Sequence, residues 1–241
     1  MRKYCILFLS LFFLVACDDF LSVKPKAEIV EHVYFDTPEG FEDALYGAYS
    51  TLSASALYGE YLSWGLLDVF AQYYKKNSIN DNVKSMLILE HEKLRSYYNL
   101  IWNKGYETIG YVNNVLRNLE RKSENSMHYY KLYKGEALGL RAYLHFDLLR
   151  LFAPHVGSKP NAQGIPYVTI YEVAVSPFKT VSEVYDLVIK DLKEAELLLQ
   201  EDETLLVYPR KFVLNDGFAT CREIHFNLYA AQALLARVYW M

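Results

Sequence analysis

The residues best suited to bind a ligand form a group of aromatic side chains followed by a polar stretch. They share a position outside the regular apolar spacing of core helices and comprise Trp64, Tyr73, Tyr74, Asn77, Asn80 and Asp81. Aromatic rings pack on the apolar face of a sugar, while amides and carboxylates bond its hydroxyls. The group therefore predicts a sugar-binding site. Tyr58 and Tyr61 share its irregular spacing, and the alternative for each aromatic residue is packing beneath a surface loop.

Catalytic chemistry finds little support in the sequence. The chain carries no nucleophile-elbow, zinc-protease, phosphate-loop or dinucleotide-binding motif, and its six histidines are scattered. Glu90-His91-Glu92 is the nearest approach to a metal cluster, but adjacent residues of a helix point apart, which favours a solvated surface. Cys221 has no CxxC partner and is predicted to be a small packed residue. We expect a binding protein rather than an enzyme, with no cofactor and no metal.

Composition and charge exclude two further classes. The chain has 241 residues, of which 52% are apolar, so it can bury a real core and is not disordered. Its net charge of −4 argues against a nucleic-acid partner, because phosphate contacts need a basic face.

The first residues have the layout of a secretory signal. Arg2 and Lys3 precede an apolar run of about twelve residues, which is too short for the roughly twenty that span a membrane. Leu14-Val15-Ala16-Cys17 resembles a lipobox, so Cys17 is predicted to be acylated and to hold the mature chain on a membrane. The acidic pair after it resembles the export signal of Bacteroidetes surface lipoproteins. The alternative is an ordinary secretory signal with a chance cysteine.

Apolar residues at three-and-four spacing predict an all-α protein. The predicted helices cover residues 37–52, 61–74 (a short piece), 92–119, 128–152, 180–199 and 223–241, with residues 75–84 as a polar loop. Paired amphipathic helices of this kind form tetratricopeptide-like hairpins that stack as an irregular solenoid, here with long loops. The last helix stops in mid-pattern, which predicts a truncated chain.

Several local signals refine this outline. Thr37 should cap the first helix through its hydroxyl, and Thr180 with Glu183 forms a capping box. Gly135 and Gly139 interrupt a helix of larger residues and predict close approach of a neighbouring element. Residues 167–171 could form a short extended segment.

The helix containing residues 134–152 resembles the hallmark helix of the SusD/RagB family. Further similar motifs follow in the family's order: Cys17-Asp18-Asp19-Phe20-Leu21, Trp102 with Asn113-Asn114, Gly164-Ile165-Pro166, Asp191-Leu192-Lys193-Glu194-Ala195 and Ala230 to Tyr239. The resemblance covers nearly the whole mature chain but only the N-terminal half of a typical family member. It divides the chain into a signal peptide (1–16), a lipid anchor and tether (17–36) and a SusD-like N-terminal helical domain (37–241).

The resemblance implies a nutrient-binding lipoprotein on the outer membrane of the cell. Such proteins bind glycans and work with a SusC-like TonB-dependent transporter, whereas members of the RagB branch bind peptides. Arg141 and Asp147 of the hallmark helix are expected to form structural ion pairs rather than to touch ligand, and Tyr97, Tyr98, Trp102, Tyr143 and Phe146 to pack in the core. A peptide receptor and a truncated fragment without a ligand site remain the alternatives.

Overall fold

The computed structural model describes residues 31–75, 90–207 and 216–241. The described residues divide into two units, residues 31–36 and the part of the chain from Thr37 to Met241. The first contains α1 (Glu31–Tyr34). The second contains, in chain order, α2 (Pro38–Leu52), α3 (Leu66–Phe70), α4 (His91–Leu119), α5 (Tyr130–Phe152), β1 (Gln163–Pro166), β2 (Phe178–Thr180), α6 (Val181–Leu198), α7 (Asp202–Leu205), α8 (Gly217–Thr220) and α9 (Leu228–Trp240).

The described chain is mainly helical, so the predicted fold class is confirmed. The long helices 92–119 and 128–152 begin within two residues of their predicted starts and end at the predicted residues. Helix α5 lies at the centre, packed against α4 and α6, and α2 packs on α4. Nearly every turn of α5 is buried, which is why its apolar residues surround the helix instead of forming one stripe. Most of the predicted loop 75–84 lies outside the described residues.

The capping predictions had different outcomes. Thr180 and Glu183 form the capping box, in which each side chain bonds the backbone N–H of the other. Thr37 precedes α2 in an extended conformation, but its hydroxyl makes no capping bond, so that prediction was wrong; Pro38, which has no N–H to satisfy, begins the helix. The last helix begins at Leu228 rather than at Glu223, because Asn227 accepts a hydrogen bond from the Ala230 N–H and caps it there.

The two glycines of α5 lie where other segments approach the helix. A methyl group at Gly139 would lie 2.0 Å from the Phe226 ring, and one at Gly135 would lie 2.7 Å from the Leu199 side chain. The prediction of close approach is therefore confirmed. The approaching residues come from the segment before α9 and from the end of α6.

The predicted extended segment 167–171 is not a strand. Strands β1 and β2 pair antiparallel just before and after it, with Gln163 opposite Thr180. We call residues 167–172 the strap. At Val168 its backbone bonds side chains instead of a strand: the Val168 N–H donates to His145 Nε2 at 3.0 Å, and Asn113 Nδ2 donates to the Val168 carbonyl at 2.9 Å.

A buried ion pair joins the helices beneath the strap. Arg141 of α5 forms a bidentate pair with Asp191 of α6, at 2.7 and 2.9 Å, and donates to Asn113 Oδ1 of α4 at 3.1 Å. The Tyr167 hydroxyl donates to the same Asp191 carboxylate at 2.6 Å. The expected structural role of Arg141 is thereby confirmed, and its partner lies on a neighbouring helix.

Asp147 also forms the expected ion pairs, one within its own helix and one with α9. Its carboxylate accepts from Arg150 of the same helix at 3.2 Å and lies 3.5 Å from Arg237 of α9. It accepts a third bond from the Tyr58 hydroxyl at 3.0 Å. The spacing to Arg150 is three residues, which places the two side chains on one face of α5.

A second buried network fixes the segment that leads into α9. Arg222 pairs with Asp202 at 2.7 Å and with Glu136 of α5, and all three side chains are fully buried. Glu136 also accepts from the Tyr49 hydroxyl at 2.7 Å and bonds His225 at 2.8 Å. These contacts hold the charge of Glu136 against its desolvation and lower its pKa.

We predict that Gly139→Ala destabilises the protein. The added methyl group would overlap the Phe226 ring, so the free energy of unfolding should fall by about 1–3 kcal/mol. Gly47→Ala in α2 is the matched control, since nothing lies within 4 Å of its added methyl, and it should raise stability by up to about 1 kcal/mol. Urea unfolding measures both changes, and an unchanged stability of Gly139→Ala would contradict the packing.

We also predict that His145 makes stability depend on pH. Its Nδ1 donates to the Arg141 carbonyl and its Nε2 accepts from Val168, so the ring must be neutral, and burial lowers its pKa from 6.5 to about 3. Between these values the unfolded chain binds more protons, so the free energy of unfolding decreases as the pH falls. The contribution of His145 between pH 7 and pH 5 is about 2 kcal/mol.

Urea unfolding of His145→Gln at the two pH values isolates this contribution from that of Glu136, which has the same sign. In the variant, the decrease in the free energy of unfolding from pH 7 to pH 5 should be about 2 kcal/mol smaller than in wild type. His128→Gln changes an exposed histidine and should keep the full difference. An identical pH dependence in wild type and His145→Gln would disprove the assignment.

Candidate ligand-binding surfaces

Three of the predicted ligand residues lie together on the surface. We call Trp64, Tyr73 and Tyr74 the aromatic surface; their exposed fractions are 59%, 79% and 41%. The Tyr74 hydroxyl donates to the Trp64 carbonyl at 2.5 Å and so joins the two ends of the segment. Gln72 has a φ of 60°, an uncommon conformation for a residue other than glycine, which turns the chain immediately before Tyr73.

The sequence around these aromatics explains how they remain exposed. After α2 the chain runs through successive turns, and Leu57, Leu66 and Val69 are buried beneath it. These apolar residues anchor the segment to the core. The large aromatic side chains between and after them can therefore face solvent, which is the arrangement that a stacking ligand needs.

The other residues of the predicted site have different outcomes. Tyr58 is half-buried: it stacks on Tyr143 with ring centroids 5.0 Å apart, and burial raises the pKa of its hydroxyl, which donates to Asp147. Tyr61 packs edge-on against Tyr97 at 5.2 Å. These contacts favour the alternative of packing for both Tyr58 and Tyr61. Asn77, Asn80 and Asp81 lie outside the described residues.

The predicted core aromatics are buried to different degrees. Phe146 is fully buried, whereas Tyr97, Tyr98, Trp102 and Tyr143 are partly exposed. Trp102 meets the Phe152 ring edge-on at 5.1 Å, and it also lines a cleft. The packing role of Trp102 is confirmed, but its spacing in the sequence did not indicate that part of its side chain also faces a cleft.

The strap separates two clefts that the sequence did not predict. The first, of about 500 Å³, is largely apolar and includes Trp102 and Tyr106. The second, of about 530 Å³, lies between α4, α5, α6 and the strap, and we call it the charged cleft. Both clefts share residues 170–172 as a wall. Tyr106 donates to the Pro166 carbonyl at 2.8 Å and holds the start of the strap in place.

The charged cleft is built from ion pairs. At one end Lys134 of α5 pairs with Glu194 of α6 at 2.7 Å, and the Arg141 and Asp191 side chains line the cleft between the helices. At the strap, the Arg117 guanidinium lies 4.7 Å from the centre of the Tyr171 ring. The sequence signal that could have indicated this cleft is the pairs of opposite charges three or four residues apart beside the apolar stripes. Lys190 with Glu194 is one such pair.

The described residues do not assemble a metal centre. They contain no group of three histidine, cysteine or acidic side chains that could hold a metal ion. Glu90 and Glu92 instead form ion pairs with Lys93 and Arg95 on their own helix. Within the described ranges, no helix is both long and apolar enough to cross a membrane.

The chain is similar to one curated protein and to several solved structures, over part of their lengths. The SusD-like protein P38 of Formosa agariphila is 27% identical over 204 residues, which cover 79% of this chain but 36% of that protein. A solved structure named putative sugar binding protein, from Bacteroides vulgatus, is 25% identical to this chain with a TM-score of 0.60. The match covers 85% of this chain and 42% of that one. A SusD homolog of Bacteroides thetaiotaomicron, 22% identical with a TM-score of 0.64, covers 89% and 38% and supports the fold.

The chain thus spans about a third of the curated relative and about two fifths of these structures. A family model described as "Starch-binding associating with outer membrane" matches residues 19–240. Because this match includes almost all of the chain, the chain belongs to the SusD-like family.

Proposed function

We propose that the protein binds a glycan at the cell outer membrane and delivers it to a SusC-like TonB-dependent transporter for uptake. The observation that carries the proposal is the aromatic surface, which presents three exposed rings from one short anchored segment of a SusD-like chain. The description of the family as starch-binding and the name of one similar structure, a putative sugar binding protein, support the same class of ligand.

The aromatic surface suits a glycan for a physical reason. A sugar ring has an apolar face that stacks on an aromatic plane, and each stacked ring removes apolar area from water. Trp64 and Tyr73 provide the two most exposed rings of the surface, so they should contribute most of the binding energy. The polar side chains of Asn77, Asn80 and Asp81, which follow in sequence, are proposed to bond the hydroxyls.

We further propose that Cys17 anchors the protein to the membrane through acyl chains, with residues 17–36 as a tether. Each buried methylene contributes about 0.8 kcal/mol, so several chains hold a protein on a bilayer for long times. Such an anchor would keep the binding surface beside the transporter. The family's association with the outer membrane supports this location.

We predict that removal of the aromatic surface abolishes glycan binding. Trp64→Ala/Tyr73→Ala should lose retardation in native gels that contain soluble starch, xylan or galactomannan, because two stacking contacts worth about 1 kcal/mol or more each are removed. Tyr229→Ala/Trp240→Ala is the matched control, since both residues are exposed aromatics of α9, and it should migrate as the wild type does. Equal retardation of the two double variants would refute the site.

Binding of a peptide mixture and of none of the glycans would favour the RagB-type alternative.

We predict that Cys17 is the acylated residue. Wild-type protein should incorporate a clickable palmitate analogue in its native host, and Cys17→Ser should not, whereas Cys221→Ser should be labelled normally. A TonB-dependent transporter should co-purify with the labelled protein from detergent-solubilised membranes. Labelling of Cys17→Ser, or none in the wild type, would rule out this anchor, and repeated absence of a transporter would contradict the partnership.

A further inference from the structure

The charged cleft is separate from the aromatic surface. It is lined by α4, α5, α6 and the strap, and none of its lining residues comes from residues 53–75. Its volume of about 530 Å³ lies within the range of 300–1,000 Å³ typical of small-molecule sites. A ligand of one or two sugar rings would fit a space of this size.

The floor and one wall of the cleft are fixed by buried contacts. Arg141 and Asp191 form the bidentate pair described above, and Tyr167 donates to the same carboxylate. His145 and Asn113 hold the strap at Val168. The cleft is therefore preformed, so a ligand need not order these groups when it binds.

The polar groups at one end of the cleft can bond two neighbouring hydroxyl groups of one sugar ring. The Lys134 ammonium lies 2.7 Å from Glu194, and its hydrogen bond to Glu194 raises the pKa of Lys134, with a smaller contribution from Glu120, the residue after α4. An ammonium has three N–H donors, whereas a carboxylate only accepts. One hydroxyl of a sugar can thus accept from Lys134 while the adjacent hydroxyl donates to a glutamate, as a vicinal diol requires.

The balance of charge favours a neutral ligand. Four cationic and four carboxylate side chains line the cleft, so a ligand with a net charge of either sign would meet as much repulsion as attraction. The stacked pair of Arg117 and Tyr171 adds a flat wall with an apolar component. A neutral sugar has both the hydroxyl groups and the apolar face for these surfaces.

We infer that the charged cleft is a second ligand site, which binds one or two neutral sugar units between Lys134, Glu194 and the strap. The inference takes its ligand class from the proposed function but concerns different residues. The two sites would hold separate parts of one glycan or separate molecules.

Saturation-transfer difference NMR on the full chain tests the inference, with glucose, galactose, maltose, cellobiose and lactose as probes. At least one probe should receive saturation from wild type, and Lys134→Met should weaken its binding by about tenfold or more, the loss expected for one charge-assisted hydrogen bond. Lys131→Met is the matched control, because Lys131 lies on the same helix and pairs with Glu124 at 2.8 Å outside the cleft. It should bind as wild type does.

A second variant guards against effects on folding. Thr169 is an exposed strap residue that lines the cleft, so Thr169→Trp should fill the space and abolish the signal while the charges remain. Transfer to none of the probes, equal binding by wild type and Lys134→Met, or unchanged binding by Thr169→Trp would each overturn the inference.

The variant Trp64→Ala/Tyr73→Ala separates the two sites. It should retain the signal that depends on Lys134, even where it no longer binds polysaccharide. If it loses that signal, the sugar binds on the aromatic surface and the second site is disproved. If polysaccharide binding is absent from wild type and the Lys134-dependent signal persists, the proposed function of the aromatic surface fails and the cleft stands.

Discussion

The arrangement of the helices around the strap depends on one buried ion pair, Arg141 with Asp191. The two charged groups are almost fully removed from water, at a cost of several kcal/mol for each, and only bidentate geometry with further hydrogen bonds offsets this cost. Asn113 and Tyr167 supply those bonds. Since the four residues come from α4, α5, α6 and the strap, the pair fixes these elements relative to one another. Apolar contacts have no comparable directional requirement and specify a relative position less sharply.

Helix α5 takes part in two such networks, and this explains why its sequence is so distinctive. Towards one end Glu136 meets Arg222 and His225, and further along Arg141 and His145 hold α6 and the strap. Gly135 and Gly139 leave room for the segments that these polar groups bind. The buried polar residues of the hallmark helix thus act in the scaffold, where they position the strap and the cleft floor. Lys134, half-buried near the start of the same helix, is the residue proposed to contact a ligand directly.

Both surfaces proposed for ligands use a segment that connects the long helices. The aromatic surface follows α2 and includes the short helix α3, and the strap lies between α5 and α6; each segment is anchored by buried side chains. Anchoring lets such segments present large aromatic or charged groups to solvent without losing their position. It also places the aromatic surface and the charged cleft on different elements, so that a change in one need not alter the other.

The sequence by itself determined the helical class, the bounds of the two longest helices, the capping box at Thr180 and the need for small residues in α5. These are local properties: period, cap chemistry and side-chain volume act within a few residues. It also indicated that Trp64, Tyr73 and Tyr74 lie outside the helical stripes, and the structure shows all three exposed. Tyr58 has the same irregular spacing, and only the tertiary structure places its hydroxyl against Asp147, 89 residues away. The strap, the partners of Arg141 and Arg222 and both clefts were likewise decided by tertiary structure, because a buried charge pairs with whichever group the packed helices bring near it, and no sequence period records that distance.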